Sequence, residues 1–254
     1  MPMQGAIYPS LKDRTVLVTG GGSGIGEAIV RHFVGQGSRV GFIDIDADTS
    51  KQLLASLPAR AGACFEHADL RDIGALRRAV AGIREALGPI TILVNNAARD
   101  DRHAIADVTP EYWDERLAVN LKHQFFCAQA VVPDMIQAGG GAIVNMGSVS
   151  WMIGQGNMAC YTTAKSAVQG LTRALARDLG PNNVRVNSIV PGWIMTQRQQ
   201  DLWLTPEGEA DLMRRQCLKR KLVPDDIARV VLFLAADDSG ACTNQSYIVD
   251  GGWV

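Results

Sequence analysis

Three side chains at fixed spacing mark where chemistry could occur. Tyr161 and Lys165 stand four residues apart, and Ser148 precedes the tyrosine by thirteen. On a helix an i,i+4 pair shares one face, and the run YTTAKSAVQGLTRALARDLG reads as a helix. An ammonium beside a phenol favours the phenolate and lowers a pKa that is ordinarily about 10. Tyr161 is therefore a candidate acid/base group near neutral pH. Ser148 ends GGAIVNMGS, a buried-strand pattern that runs into small residues, and its hydroxyl could bond a reacting oxygen. Tyr-x-x-x-Lys alone recurs by chance. It gains meaning from the serine at a strand end and from a glycine-rich segment near the other end of the chain.

That segment, TGGGSGIG from Thr19 to Gly26, joins a strand pattern, TVLVT, to a helical one. Its spacing is G-x-x-x-G-x-G, with Gly20, Gly24 and Gly26, and differs from G-x-G-x-x-G. The glycines permit a tight turn and let backbone approach a pyrophosphate, which the free N–H groups of a helix N-terminus attract. Asp44 ends the next strand pattern, 24 residues after Gly20. A carboxylate there accepts hydrogen bonds from ribose hydroxyls and repels a 2′-phosphate. No lysine or arginine lies inside the loop, so NAD is favoured over NADP. The alternative is that Asp44 caps the following turn. Asp69, after the third strand pattern, is either a partner for the adenine amino group or a helix cap ahead of Asp72.

These residues need a sheet to hold them. Strand-like runs at 15–19, 39–44, 63–67, 91–95, 142–146, 184–190 and 247–250 alternate with helical patterns. That alternation predicts an α/β fold: a Rossmann-type, doubly wound parallel sheet of about seven strands with helices on both faces. Asp48 is read as the cap of the second helix. Thr109-Pro110 starts a long helix to about residue 138. The Tyr161 helix closes at Gly180-Pro181. Residues 193–223 break the alternation with polar helical sequence and read as a small mobile substrate lobe. With no linker or internal repeat, residues 1–254 form a single domain.

Composition narrows the function. A net charge of −1 offers no electrostatic footprint for nucleic acid or an anionic membrane. No apolar run is long enough to span a bilayer, and MPMQGAIYPSLKDR lacks the pattern of a secretion signal. The five scattered cysteines show no C-x-x-C spacing and read as reduced packing residues of a cytoplasmic protein. Cys160, beside Tyr161, is read the same way. None of His32, His67, His103 and His123 has metal-ligand spacing to another histidine or a cysteine, so no catalytic metal is expected.

With TGGGSGIG, Asn95-Asn96-Ala97-Ala98, Asn120, Ser148, Tyr161-x-x-x-Lys165 and Pro191-Gly192 in this order, the chain resembles the short-chain dehydrogenase/reductase family over nearly its whole length. The resemblance implies cofactor contacts from Gly20, Ser23, Gly24, Ile25, Gly26, Asp44, Ile45, Asp69, Leu70, Asn96, Ala97, Pro191, Gly192, Ile194 and Thr196, together with Tyr161 and Lys165. It implies that Asn96 and its neighbours stabilise the central strand and that Asn120 holds a water of a proton relay. Ser148 would orient the substrate oxygen. Tyr161 would be the base that removes a hydroxyl proton while the carbon gives hydride to NAD⁺. Lys165 would lower the tyrosine pKa and bind the nicotinamide ribose. Ala98 departs from the family's usual glycine by one methyl. The family also implies a homotetramer that pairs the helices at 110–138 and about 158–179 across two-fold axes.

Peripheral stretches are similar to a narrower group, the bacterial D-xylose 1-dehydrogenase type: AIYPSLK, DDRHAIADVT, YWDER, TPEGEA and QCLK. That similarity implies oxidation of the anomeric hydroxyl of a pentose, such as D-xylose or L-arabinose, to the lactone. Ser148, Ser150, Gln155, Asn157, Tyr161, Trp193, Gln197 and Arg198 are the candidate sugar contacts. The polar stretch TQRQQDLWLTPEGEADL suits such a lid, and it is also what an exposed amphipathic helix looks like. RDDRH (99–103) could reach substrate, or form a solvated loop or a subunit contact. The alternatives are a reductase of 3-oxoacyl groups or other ketones, which would prefer NADPH, and a non-catalytic NAD-sensing protein, whose kind tends to lose the serine, tyrosine or lysine.

Overall fold

In this computed structural model residues 5–58 and 61–254 are described; the first four residues of the N-terminal stretch read above lie outside them. Seven strands run parallel in one sheet: β1 (Thr15–Thr19), β2 (Arg39–Asp44), β3 (Ala63–His67), β4 (Ile92–Asn95), β5 (Gly141–Met146), β6 (Val184–Pro191) and β7 (Ser246–Val249). Their order is β3-β2-β1-β4-β5-β6-β7.

Successive strand residues point to opposite faces, and both faces are covered. Val16, Val18, Val40, Phe42, Ile92 and Val94 enter one core. It is closed by Ile29 and Phe33 of α1 (Gly24–Gly35) and Val231 and Leu232 of α9 (Pro224–Ala235). Leu17, Ile43, Leu93 and Ile143 enter the other core. There they meet Leu76 and Ile83 of α3 (Ile73–Leu87), Cys127 and Val131 of α5 (His123–Gln137), and Leu175 of α6 (Ala159–Leu179). The direction of the chain across the sheet reverses between β1 and β4. In open parallel sheets the crevice at that switch, beyond the carboxyl ends of the strands, is where ligands sit.

Two local expectations are corrected. Helix α2 (Ala47–Ser56) is capped by Asp46, whose carboxylate accepts from the Asp48 and Thr49 N–H groups, so the cap lies two residues before Asp48. The helix expected over 110–138 is interrupted. α4 (Pro110–Leu117) passes into a π-helical turn, Ala118–Lys122, before α5 begins. Asn120 accounts for the interruption. Its Nδ2 donates to the Arg116 carbonyl at 3.0 Å, taking the acceptor that a regular i→i−4 backbone bond would use. Residues 193–223 contain α7 (Gln197–Leu202) and α8 (Pro206–Arg215), and Ile194 bridges back to Leu222.

Candidate active site

The loops after β1 to β6 surround one cleft of about 790 Å³, within the range of small-molecule and cofactor sites. At one end lies the glycine-rich loop. Gly20 and Gly24 have φ of +64° and +56°, which favour glycine. A Cβ on Gly26 would stand 1.8 Å from the Gly20 carbonyl oxygen, so only glycine lets α1 start this close to the turn. Gly26 therefore shapes the loop from behind. Ser23, Gly24 and Ile25 form the wall where the N-terminus of α1 opens to the cleft. This cradle fits the pyrophosphate of a dinucleotide.

Asn96 fastens the cradle to the centre of the sheet. Its Nδ2 donates to the Thr19 and Gly20 carbonyls, at 3.1 and 2.9 Å. Thr19 Oγ1 in turn accepts from the backbone of Asn96 and Ala97. Asp44 lines the cleft with one oxygen held by the Gly22 N–H at 2.9 Å and the other by Asp46 N–H at 3.0 Å. It thus braces a turn and faces the ligand space at once. Asp69 lines the same end with Leu70. The cap of α3 is Asp72, which accepts from Gly74 and Ala75 N–H groups, so the cap reading of Asp69 is corrected. Arg71 grips the Asp69 carboxylate and holds it below its ordinary pKa.

At the other end, β5 delivers Ser148 and α6 delivers Tyr161 and Lys165 to the same wall. Lys165 is buried, and its Nζ donates to the Met146 carbonyl at 2.8 Å and lies 5.7 Å from the Tyr161 ring centre. Burial pushes Tyr161 up to about 12; the negative charge of Asp100 adds to the rise, while a hydrogen bond with Ser148 and the charge of Arg102 oppose it. Burial likewise pushes Lys165 down to about 7, against the field of Asp100. Burial is the largest influence on the phenol within the protein. The Lys165 ammonium donates toward the Met146 carbonyl. A positive charge brought beside the phenol favours the phenolate.

Asn120 stands behind the wall, fully buried, with its Oδ1 accepting from Arg99 N–H and its Nδ2 donating to the Arg99 and Arg116 carbonyls. Both amide hydrogens are committed, so the side chain clamps the segment after β4. Pro191, Gly192, Ile194 and Thr196 close the cleft after β6. A Cβ on Gly192 would lie 2.7 Å from the Asp250 Cα, and Thr196 abuts Gly24 across the cleft.

The sugar-contact candidates Ser150, Gln155, Asn157, Trp193, Gln197 and Arg198 all line the cleft. Ser150 Oγ is buried with no hydrogen-bond partner among the described residues. The Trp193 indole N–H is already given to Gln199 at 2.9 Å. Within RDDRH, Arg99 is exposed and residues 100–103 are half-buried. Arg99, Asp100 and Arg102 line the cleft, and His103 accepts from Cys160 N–H at the start of α6. In the sequence Asp100 and Arg102 stood out only within RDDRH, with substrate contact one of three readings, and Gln199 carried no individual signal. The available signal was two adjacent acids flanked by arginines just beyond a strand end that already carried ligand-facing residues.

Among the described residues no group of three or more His, Cys, Asp or Glu is placed to hold a metal ion, and no helix is long and apolar enough to cross a membrane.

A family model described as enoyl-(acyl carrier protein) reductase matches residues 20–254. The chain is 49% identical over 255 residues to the D-xylose 1-dehydrogenase of Caulobacter vibrioides, covering 99% of this chain and 100% of that protein. It is 51% identical over 254 residues to a Rhizobium meliloti protein named "Probable galactose dehydrogenase", with 99% of each chain covered. Among solved structures, a short-chain type dehydrogenase/reductase from Mycobacterium ulcerans superposes with a TM-score of 0.90 at 29% identity, over 96% of this chain and 90% of that one.

Proposed function

Because the chain belongs to the short-chain dehydrogenase/reductase family, and is an oxidoreductase of CH–OH groups that uses a nicotinamide cofactor, we propose that it oxidises the anomeric hydroxyl of a neutral aldose to the lactone with NAD⁺. A pentose such as D-xylose or L-arabinose is the substrate class. One observation carries this reading: Ser148, Tyr161 and Lys165 share a cleft with the glycine cradle, and its substrate end is lined by polar groups, including the unpartnered hydroxyl of Ser150. Full-length similarity to a D-xylose 1-dehydrogenase supports the same class.

The residues would divide the work as follows. The cradle and Asn96 hold the pyrophosphate side. Asp44 presents an acceptor to ribose hydroxyls and repels a 2′-phosphate, which supports NAD over NADP. When bound, oxidised nicotinamide supplies the hydride acceptor and a positive charge beside the phenol. Ser148 donates to the reacting oxygen and holds it against Tyr161. Tyr161 takes the hydroxyl proton as the C1–H bond breaks. The Lys165 ammonium supports the phenolate from behind. Asn120 positions the segment after β4 that completes the wall.

The similarity to a protein named for galactose supports a second reading of the sugar. L-arabinopyranose has the ring configuration of D-galactopyranose without C6, so one pocket could accept both. Reduction of an enoyl group carried on acyl carrier protein, named in the family model's description, fits less well with a cleft end lined by Ser150, Asn157, Arg198 and Gln199. A homotetramer remains part of the proposal by family likeness. The test is turnover of a panel of D-xylose, L-arabinose, D-galactose and D-glucose with NAD⁺ or NADP⁺. Oxidation of pentoses with NAD⁺ is the expected result. Silence on every sugar, with reduction of a ketone by NADPH, would overturn it.

A further inference from the structure

Asp100 lines the cleft with Ser148 and Tyr161. Its side chain is only 16% exposed. Oδ2 accepts from Gln199 Nε2 at 2.7 Å. The other end of that amide accepts from the Trp193 indole, which fixes the Gln199 N–H toward Asp100. Oδ1 meets Arg198 Nε at 3.4 Å, at the weak end of hydrogen bonding. An ionised carboxylate has about four acceptor positions and no donor. Two are used here, one of them weakly. What remains is a fixed, acceptor-only group on the wall of the cleft that also holds Ser148 and Tyr161. Its field reaches both Tyr161 and Lys165.

The inference rests on the aldose reading above and deepens it. In a cyclic aldose the reacting carbon has two neighbours, the ring oxygen and C2. The ring oxygen carries no hydrogen and cannot pair with a carboxylate. The C2 hydroxyl can. We propose that Asp100 is a specificity-determining residue that accepts a hydrogen bond from the C2 hydroxyl of the sugar. It thereby selects one of the two ways the ring can present its C1–H bond. A substrate with a methylene at that position leaves an acceptor position of this half-buried carboxylate unfilled, and a site built around a hydroxyl rejects such an analogue.

The test compares D-galactose with 2-deoxy-D-galactose, and D-xylose with 2-deoxy-D-xylose, on wild type, Asp100→Asn and Asp100→Ala. Cofactor affinity is followed by nucleotide fluorescence. Intrinsic differences between a sugar and its deoxy analogue cancel between variants. Wild type is expected to prefer the parent sugar over its 2-deoxy analogue in kcat/KM by roughly 10- to 100-fold, the scale of a hydrogen bond to a charged group. Asp100→Ala should lose about that factor on the parent sugar and only a few-fold on the deoxy analogue, with cofactor affinity retained. Asp100→Asn, which keeps shape and one acceptor, should fall between. Equal losses on parent and deoxy sugars would mean that Asp100 only braces α7, and would overturn the proposal. If wild type oxidises aldoses but Asp100 does not set the 2-deoxy penalty, this inference alone fails. If wild type oxidises no aldose, the function reading fails and this inference falls with it.

Discussion

The Lys165 ammonium lies 5.7 Å from the centre of the Tyr161 ring and points its hydrogen bond at the Met146 carbonyl. The lysine is fully enclosed, and burial alone holds it down to about 7. A group kept there for chemistry costs stability. Lys165→Met should raise the thermal midpoint of the cofactor-free protein while removing most activity. Replacing a buried ion with an apolar side chain of similar length is often stabilising by about 1–4 kcal/mol. The pH dependence gives the sign. Between about 7 and the ordinary lysine value, the unfolded chain binds the proton that the folded chain has lost, so stability from this group grows as pH rises. The advantage of the methionine variant should therefore be largest below pH 7 and shrink as pH rises. Calorimetry across that range checks it.

Tyr161→Phe removes the proposed base and leaves the ring in place. The expected loss in kcat is roughly 10²- to 10⁴-fold, with nucleotide affinity kept. In wild type, kcat/KM for oxidation should rise with pH, because the phenol must ionise. Asp100 raises that phenol and Arg102 lowers it. Asp100→Asn should accordingly move the rising limb to lower pH, and a pH profile of the two proteins decides the sign.

His123 is fully buried, with at most weak contacts from its ring to the Ala118 and Val119 backbone, and burial, helped by the charge of Lys165, pushes it down to about 3. The folded protein keeps it neutral while the unfolded chain protonates it near its ordinary value. Stability from this group is present above pH 6.5 and lost as pH falls toward 3. His123→Leu should shift the acid-unfolding midpoint to lower pH relative to wild type. An unchanged or higher midpoint would show that the ring is held by other means.

Asp44 should set cofactor choice. Asp44→Ala removes the ribose acceptor and the repulsion of a 2′-phosphate. Affinity for NAD⁺ is expected to fall roughly 10- to 100-fold while NADP⁺ turnover rises. Steady-state constants for the two nucleotides measure this. A variant that weakens both equally would point to the Gly22 brace as the only role of Asp44.

Much of the sheet, the glycine cradle and the Ser148, Tyr161 and Lys165 set were legible because their signals are local. Strand alternation, the close packing of Gly26 on Gly20 and an i,i+4 spacing on α6 are each set within a short window of chain. The misses have a different origin. Asp46 and Asp48 are equally good caps by type, and only the backbone turn selects between them. The π turn depends on Asn120 swinging inward to Arg116 and to Arg99, 21 residues away. The rim of the cleft was invisible for the same reason. A chain of opposite charges runs from Asp69 through Arg71, Glu115, Arg116, Asp101 and Arg198 to Asp100. Its final link joins residues 98 apart in sequence. No period or motif encodes such a contact.

The most direct measurement of the central claim follows the hydrogen on C1. Purified protein is given NAD⁺ and D-xylose or L-arabinose carrying deuterium at C1, and both products are read by nuclear magnetic resonance. Deuterium is expected on the reduced nicotinamide, together with a lactone that opens to the aldonic acid, and neither product in Tyr161→Phe at comparable rate. Label retained in the sugar, or turnover confined to ketones and NADPH, would contradict it.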